Sequence, residues 1–329
     1  MLSSDILQSI VTGSDQEAWI TITQHLYEVF STPFSESSIQ GILQREKHVS
    51  DIETLISGSC WDLWSSFEQA VPKSSEELVK KWNQMLSGKA VFILDGISLR
   101  ELPFLLEQAE KRGYKVHQSR VFASSLPSET TFFARSLGFS QRSALENNQA
   151  GARHLLKGAR TDCLDLQWDD CLPIIGAEPN WVLWHTWFDD RIHEYNVPGK
   201  GLRELVVKSE KELSSDSFWN LIEKLAQGRR VFLTSDHGYA ATGDFDNVRD
   251  EQASYLKDTY KGQRFAKGPL GQANANWIPP IDIEIESAHG LYSYVLGRRK
   301  WRSSGGYPTL AHGGLSLLET LVPFIEISK

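Results

Sequence analysis

The chain has 329 residues, with 34 Lys and Arg against 42 Asp and Glu, a net charge of −8 at neutral pH. With 40% hydrophobic and 23% charged residues it has ample material for a core, which excludes disorder or a coiled coil as the main architecture. No apolar run approaches the roughly 18–20 residues that span a bilayer, and the acidic balance disfavours wrapping duplex nucleic acid by bulk charge.

The three cysteines, Cys60, Cys163 and Cys171, are odd in number and lack C-x-x-C spacing. That argues against a disulfide framework or a thiolate zinc site and fits a reducing compartment. The first residues carry neither a basic stretch nor a continuous apolar one, so no secretion signal and a cytoplasmic location are expected. Residues 1–88 hold 5 Lys/Arg against 12 Asp/Glu, and the remaining 241 hold 29 against 30. The texture changes at the same place, predicting a helical N-terminal extension over 1–88 and a second unit over 89–329. In the extension, Asp15 to Phe30 places Trp19, Ile22, Leu26 and Phe30 on one helical face, with Asp15 as N-cap. Residues 35–48 and 51–71 continue the pattern, and Ser74-Ser75-Glu76-Glu77 opens a helix to about Leu86. No catalytic spacing occurs there. The segment reads as a helical cap on the second unit or as a docking module for a protein partner.

After Gly88 the rhythm becomes strand, loop, helix. Ala90 to Leu94 is a short apolar run bounded by Asp95-Gly96, and Leu99 to Arg112 follows as a helix closed by Gly113. Tyr114–Ala123, Trp181–Trp184, Arg230–Thr234 and Val322–Ile327 are further extended stretches, and Ser209–Gln227 is helical. Ile281–Glu286 and Leu291–Leu296 suggest an antiparallel pair across Ser287-Ala288-His289-Gly290. Strands separated by helices of this length predict an α/β fold, a mostly parallel sheet flanked by helices.

Ligands in such folds bind beyond the carboxyl ends of the strands. The segments there are Asp95-Gly96, Ser124 to Thr130, Asp189 to His193, Ser235-Asp236-His237-Gly238, and His312-Gly313-Gly314 before the last strand. Asp189 and His193 share one face of a helical turn. Oxygen and imidazole donors without thiolates suit zinc, manganese or iron. Taken singly, Asp95-Gly96 is also an ordinary turn, Pro127-Ser128-Glu129-Thr130 an ordinary helix start, and His312 an ordinary loop histidine. Their joint occurrence at successive strand ends is what points to a site.

This ordered set resembles the alkaline phosphatase superfamily, and more narrowly PglZ domains, known from BREX phage-resistance systems and from response-regulator effectors. The stretch His312-Gly-Gly-Leu-Ser-Leu-Leu-Glu-Thr-Leu-Val-Pro-Phe is the most PglZ-like part. The resemblance covers about residues 89–329. It implies an alkaline-phosphatase-like metallohydrolase domain with two divalent ions, Zn2+ before Mn2+, bridged by a phosphoester substrate. It also implies Thr130 as nucleophile, with Asp95, Thr130, Asp236 and His237 around one ion and Asp189, His193 and His312 around the other. Such a pair of ions, about 4 Å apart, clamps the attacking and leaving oxygens of an in-line displacement. Asp190 is a neighbouring or surface acid, His185 a buried hydrogen-bonded histidine, and His289 a turn residue that competes with His312.

The substrate side is basic. Arg298, Arg299 and Lys300, and Lys261, Arg264 and Lys267 in the glycine-containing loop 261–271, offer a grip for the phosphates of a nucleotide or single-stranded nucleic acid. Trp301 or Trp277 offers a stacking face, and a solvated basic surface is the alternative. A phosphodiesterase in phage defence or signalling is the expected function, and a metal-binding scaffold with little turnover is the alternative. The short stretch 139–180 speaks against the insertion domain of a phosphomutase. No Walker loop and no G-x-G-x-x-G after a strand occurs.

Overall fold

A computed structural model of the chain describes residues 3–197, 200–245, 247–270, 277–303 and 306–329. Gly271 of the glycine-containing loop and Ser304-Gly305 lie outside the described residues.

The N-terminal helix expected from Asp15 spans Asp15–Ser31, but its cap is Ser14. The Ser14 hydroxyl accepts from the Glu17 N–H while the Glu17 carboxylate accepts from the Ser14 N–H at 2.9 Å, which satisfies two otherwise orphaned donors. A single long helix, Ser38–Ser59, replaces the break expected near residue 50, and a helix follows over Ser74–Gln84. The helix expected over Ser209–Gln227 is two, Leu202–Leu213 and Asp216–Ala226, because the Ser215 hydroxyl takes the Phe218 N–H and starts a new helix.

The strands in chain order are β1 (Lys89–Leu94), β2 (Lys115–Ala123), β3 (Arg160–Leu164), β4 (Asn180–His185), β5 (Arg230–Thr234), β6 (Ala240–Ala241), β7 (Phe265–Lys267), β8 (Asp282–Ser287), β9 (Gly290–Val295), β10 (Leu310–Ala311) and β11 (Leu321–Ser328). Six form the central sheet in the order β2-β11-β5-β1-β4-β3. The run β5-β1-β4-β3 pairs in parallel, and β11 lies antiparallel between β5 and β2. The edge strand β3, Arg-Thr-Asp-Cys-Leu, has no apolar run, so sequence pattern does not reveal it. Strands β7, β9 and β8 make a small antiparallel sheet, and β6 pairs with β10.

The central strand β1 is buried on both faces. Ala90, Phe92 and Leu94 join one apolar cluster, and Val91 and Ile93 join another across the sheet. The first cluster runs without a break from Ile6 to Ile327, so the N-terminal helices share their core with the sheet. Trp19 packs edge-on against Trp64 and Phe67 there. Charge also crosses this junction. Glu46 pairs with Arg100 at 2.6 Å and with Arg298, while Glu53 holds Arg298 and the Leu317 N–H, the latter at 2.7 Å. Among the described residues no helix is long and apolar enough to cross a membrane.

Candidate metal centre

Because β5, β1 and β4 are adjacent and parallel, the segments that follow them emerge side by side at one edge of the sheet. Asp95 follows β1 directly and Asp236 and His237 follow β5. Asp189 and His193 lie on helix Trp187–Tyr195 just after β4. Thr130 is the first residue of helix Thr130–Ser136, with Glu129 rather than a hydroxyl residue at the cap. The β6–β10 pair brings His312 back beside the Asp236 loop.

All seven residues converge. The Thr130 hydroxyl donates to Asp236 Oδ2 at 2.8 Å and stands 3.3 Å from Asp95 Oδ1. His237 Nε2 lies 3.5 Å from both Asp95 and Asp236 and 4.0 Å from Asp189 Oδ1. Asp189 Oδ1 is 3.7 Å from His312 Nε2 and 3.4 Å from His193 Nε2. His193 sits at the rim, with its side chain 58% exposed. The His237 and His312 rings stack with centroids 4.2 Å apart and planes at 15°.

Two groups of donor atoms, Asp95/Asp236/His237 and Asp189/His237/His312, each fall within 4.8 Å of one another. The chemistry of these atoms fits a cation. His237 Nδ1 bonds the Gly238 carbonyl at 2.9 Å and so carries the proton, which leaves Nε2 facing carboxylates with no hydrogen-bond partner. Asp189 Oδ1 is likewise buried and without a hydrogen bond. Lone pairs aimed at one another need positive charge between them.

The electrostatics carry the same mark. Burial, then the charges of Asp236 and Asp189, push the Asp95 carboxyl well above the usual range. Burial works against a charged His237, yet the carboxylates of Asp236, Asp189 and Asp95 prevail and push it up to about 9. Burial, with the adjacent His237, pushes His312 down to about 3. Burial would raise Asp189, but the contact with His193 and the charges of His237 and His312 hold it well below the usual carboxylate range.

Three residues not named as candidates join the site, and of these only Glu129 lies within a candidate segment, Pro127-Ser128-Glu129-Thr130. Arg142 ion-pairs with Asp95 Oδ2, and the Trp184 indole N–H donates to the same oxygen at 2.9 Å, so Oδ1 is the oxygen turned inward. Glu129 lies 3.8 Å from His312, and burial raises its carboxyl. Arg142 lies in a segment without motif or regular repeat, and in sequence Trp184 is only the end of an extended stretch.

A cleft of about 460 Å³ opens beside Glu129, His193 and His312, with Lys261, Arg299 and Lys300 on its wall. Arg298 is not among these cations. Its guanidinium is buried between Glu46 and Glu53, so the expected grip by residues 298–300 reduces to Arg299 and Lys300. Arg264 does line this cleft, but it is buried and bound to Glu319. Trp301 is buried at the cleft wall, whereas Trp277 packs on Tyr255. His289 contacts Ser136 and Phe132, away from the seven residues, and Asp190 accepts from the Thr186 hydroxyl at 2.8 Å.

Neither a family model nor a curated protein matches the chain in sequence. Among solved structures the chain is similar to murine ectonucleotide pyrophosphatase/phosphodiesterase 5, at 13% identity over 73% of this chain and 87% of that one, with a TM-score of 0.42. It is also similar to phosphonoacetate hydrolase from Sinorhizobium meliloti 1021 in complex with phosphonoformate, at 15% identity over 73% and 89%, TM-score 0.42. For human ectonucleotide pyrophosphatase/phosphodiesterase 5 the values are 11%, 73% and 87%, with a TM-score of 0.41.

Proposed function

We propose that the chain is a metal-dependent phosphoesterase that cleaves a phosphodiester of nucleotide or single-stranded nucleic-acid type, with Thr130 as nucleophile. The observation that carries this reading is the Thr130 hydroxyl held between Asp236 and Asp95, within a cluster of carboxylates and imidazoles short of positive charge. Asp236 Oδ2 accepts the hydroxyl hydrogen and so fixes the direction in which the Thr130 oxygen presents its free lone pairs. Trp184 and Arg142 hold the far oxygen of Asp95 and keep its near oxygen on Thr130. The Gly238 carbonyl holds the Nδ1 proton of His237, so Nε2 is the nitrogen left to give its lone pair to a cation, in exchange for its proton. Two divalent ions, Zn2+ or else Mn2+, held by Asp95, Asp236 and His237 and by Asp189, His193 and His312, would supply the charge that acidifies the threonine hydroxyl and neutralises a phosphoryl oxygen. Lys261, Arg299 and Lys300 draw an anionic substrate into the cleft, and Trp301 and Tyr307 line it with aromatic surface.

The ordered motifs that resemble PglZ domains support the same reading and are the ground for a role in phage defence or signalling. The test is hydrolysis of bis(4-nitrophenyl) phosphate by the zinc-loaded protein. Thr130→Ala is expected to lower kcat by about 10³-fold or more while zinc content is unchanged. A metal-loaded protein inert toward both diesters and monoesters would sink the enzyme and leave a metal-binding scaffold.

A further inference from the structure

Gly238 and Gly314, which follow the candidate ligands His237 and His312, both press on the short helix Leu317–Thr320 or its partner Arg264. A Cβ on Gly238 would stand 2.1 Å from the Leu318 carbonyl oxygen, and one on Gly314 would stand 2.8 Å from Arg264 Nε. Both loops are also bonded to one residue. The Gly238 N–H donates to the Glu319 carbonyl at 2.9 Å, and the Gly314 N–H donates to the Glu319 carboxylate at 3.0 Å.

Glu319 is fully buried, and Arg264 grips its carboxylate at two points, 2.7 and 3.2 Å. The same guanidinium donates to the Arg299 carbonyl at 2.6 Å and to the Gly297 carbonyl, which extends the contact to the cleft wall. Burying such a pair is costly in desolvation and adds little stability over apolar residues of equal size. Its bonds here go to two ligand loops and one wall of the cleft, which is what a positioning device requires.

We propose that Glu319, paired with Arg264, is a positioning residue that sets the spacing of the His237 and His312 loops through Gly238 and Gly314. This rests on the metal-site reading given above. His237 is adjacent to Gly238 and His312 is two residues from Gly314, so a slip of either tether moves a ring of the stacked pair. Outer-shell contacts of this kind typically change metal affinity about 10–100-fold when lost.

The test compares two double variants that both remove the buried charges, so that neither leaves one ion unpaired. Arg264→Met/Glu319→Gln keeps an amide oxygen for the Gly314 N–H, and Arg264→Met/Glu319→Leu does not. Zinc affinity is measured by competition with a chromophoric chelator, and the histidine Hε1 shifts are measured by NMR in the metal-free protein. The leucine variant is expected to bind zinc about 10–100-fold more weakly than the glutamine variant at equal metal-free Tm, with altered shifts for the ring pair. Equal zinc affinity and identical Hε1 shifts in the two variants overturn the proposal. A wild-type chain that binds no zinc overturns the metal site instead, and the ring shifts then still decide whether the Glu319 side chain positions the His312 loop through Gly314.

Discussion

Gly238 and His185 show how much single residues contribute at the sheet edge. Gly238 allows the chain after His237 to lie against the Leu318 carbonyl, where no side chain fits. Gly238→Ala is therefore expected to weaken zinc binding about tenfold or more and to cost about 1–3 kcal/mol of stability, read by chelator competition and urea unfolding. An alanine variant with native affinity would show that the loop has room to give. His185 is buried with both nitrogens engaged: Nε2 donates to the Leu166 carbonyl at 2.9 Å and Nδ1 accepts from the Trp187 N–H at 3.3 Å. Burial lowers it to about 4, so the folded chain resists a proton that the unfolded chain binds below about 6.5. The unfolded state then holds more protons, and stability falls as pH drops from about 6.5 toward 4. His185→Gln is expected to flatten that slope in urea titrations; an unchanged slope would assign it to other groups. Local pattern marked His185 as buried, because it continues an apolar strand. It could not show which carbonyl would meet the ring.

At the scale of elements, the long helix Ser38–Ser59 is tied to the site end of the sheet by charge. Glu46 reaches Arg100, whose guanidinium donates to the Tyr239 carbonyl at 2.7 Å, and Glu53 reaches the start of helix Leu317–Thr320. Glu46→Ala leaves Arg100 and Arg298 short of a partner in the interior. It is expected to cost about 3–5 kcal/mol, measured as a drop in the urea midpoint. A loss below about 1 kcal/mol would mean that water or another carboxylate takes over. The direction of β11 explains why this junction lies near the chemistry. An antiparallel last strand enters the sheet from the edge where β5 and β1 leave it, which places Glu319 beside the Asp236 loop. Strand β11 was legible as an apolar run, but its direction was not, since both orientations bury the same residues. Strand β3 leaves no such mark in the sequence, because an edge strand needs no apolar run.

Across the whole molecule, the acidic N-terminal segment takes a different meaning from the one composition suggests. Part of its charge is spent inside, on Arg100 and Arg298, and is not a solvated docking face. If the site loads metal, binding stabilises the entire fold by mass action, by about 2.7 kcal/mol at free zinc 100 times Kd. Chelation with EDTA should thus lower Tm in a zinc-dependent way, and a Tm indifferent to zinc would speak against the site. The sequence by itself determined the α/β class, the strand ends where acids and histidines gather, and the glycines beside them, because hydrophobic period and turn chemistry are local properties. Only the tertiary structure decided that Arg142 and Trp184 hold Asp95 and that His237 stands between both donor groups. It alone decided that Arg298 is a buried strut, and that of the cations lining the cleft Arg264 is bound to Glu319. The physical reason is that the partner of a charge is set by which distant segments the sheet order brings within a few ångströms. Local pattern carries no record of that order.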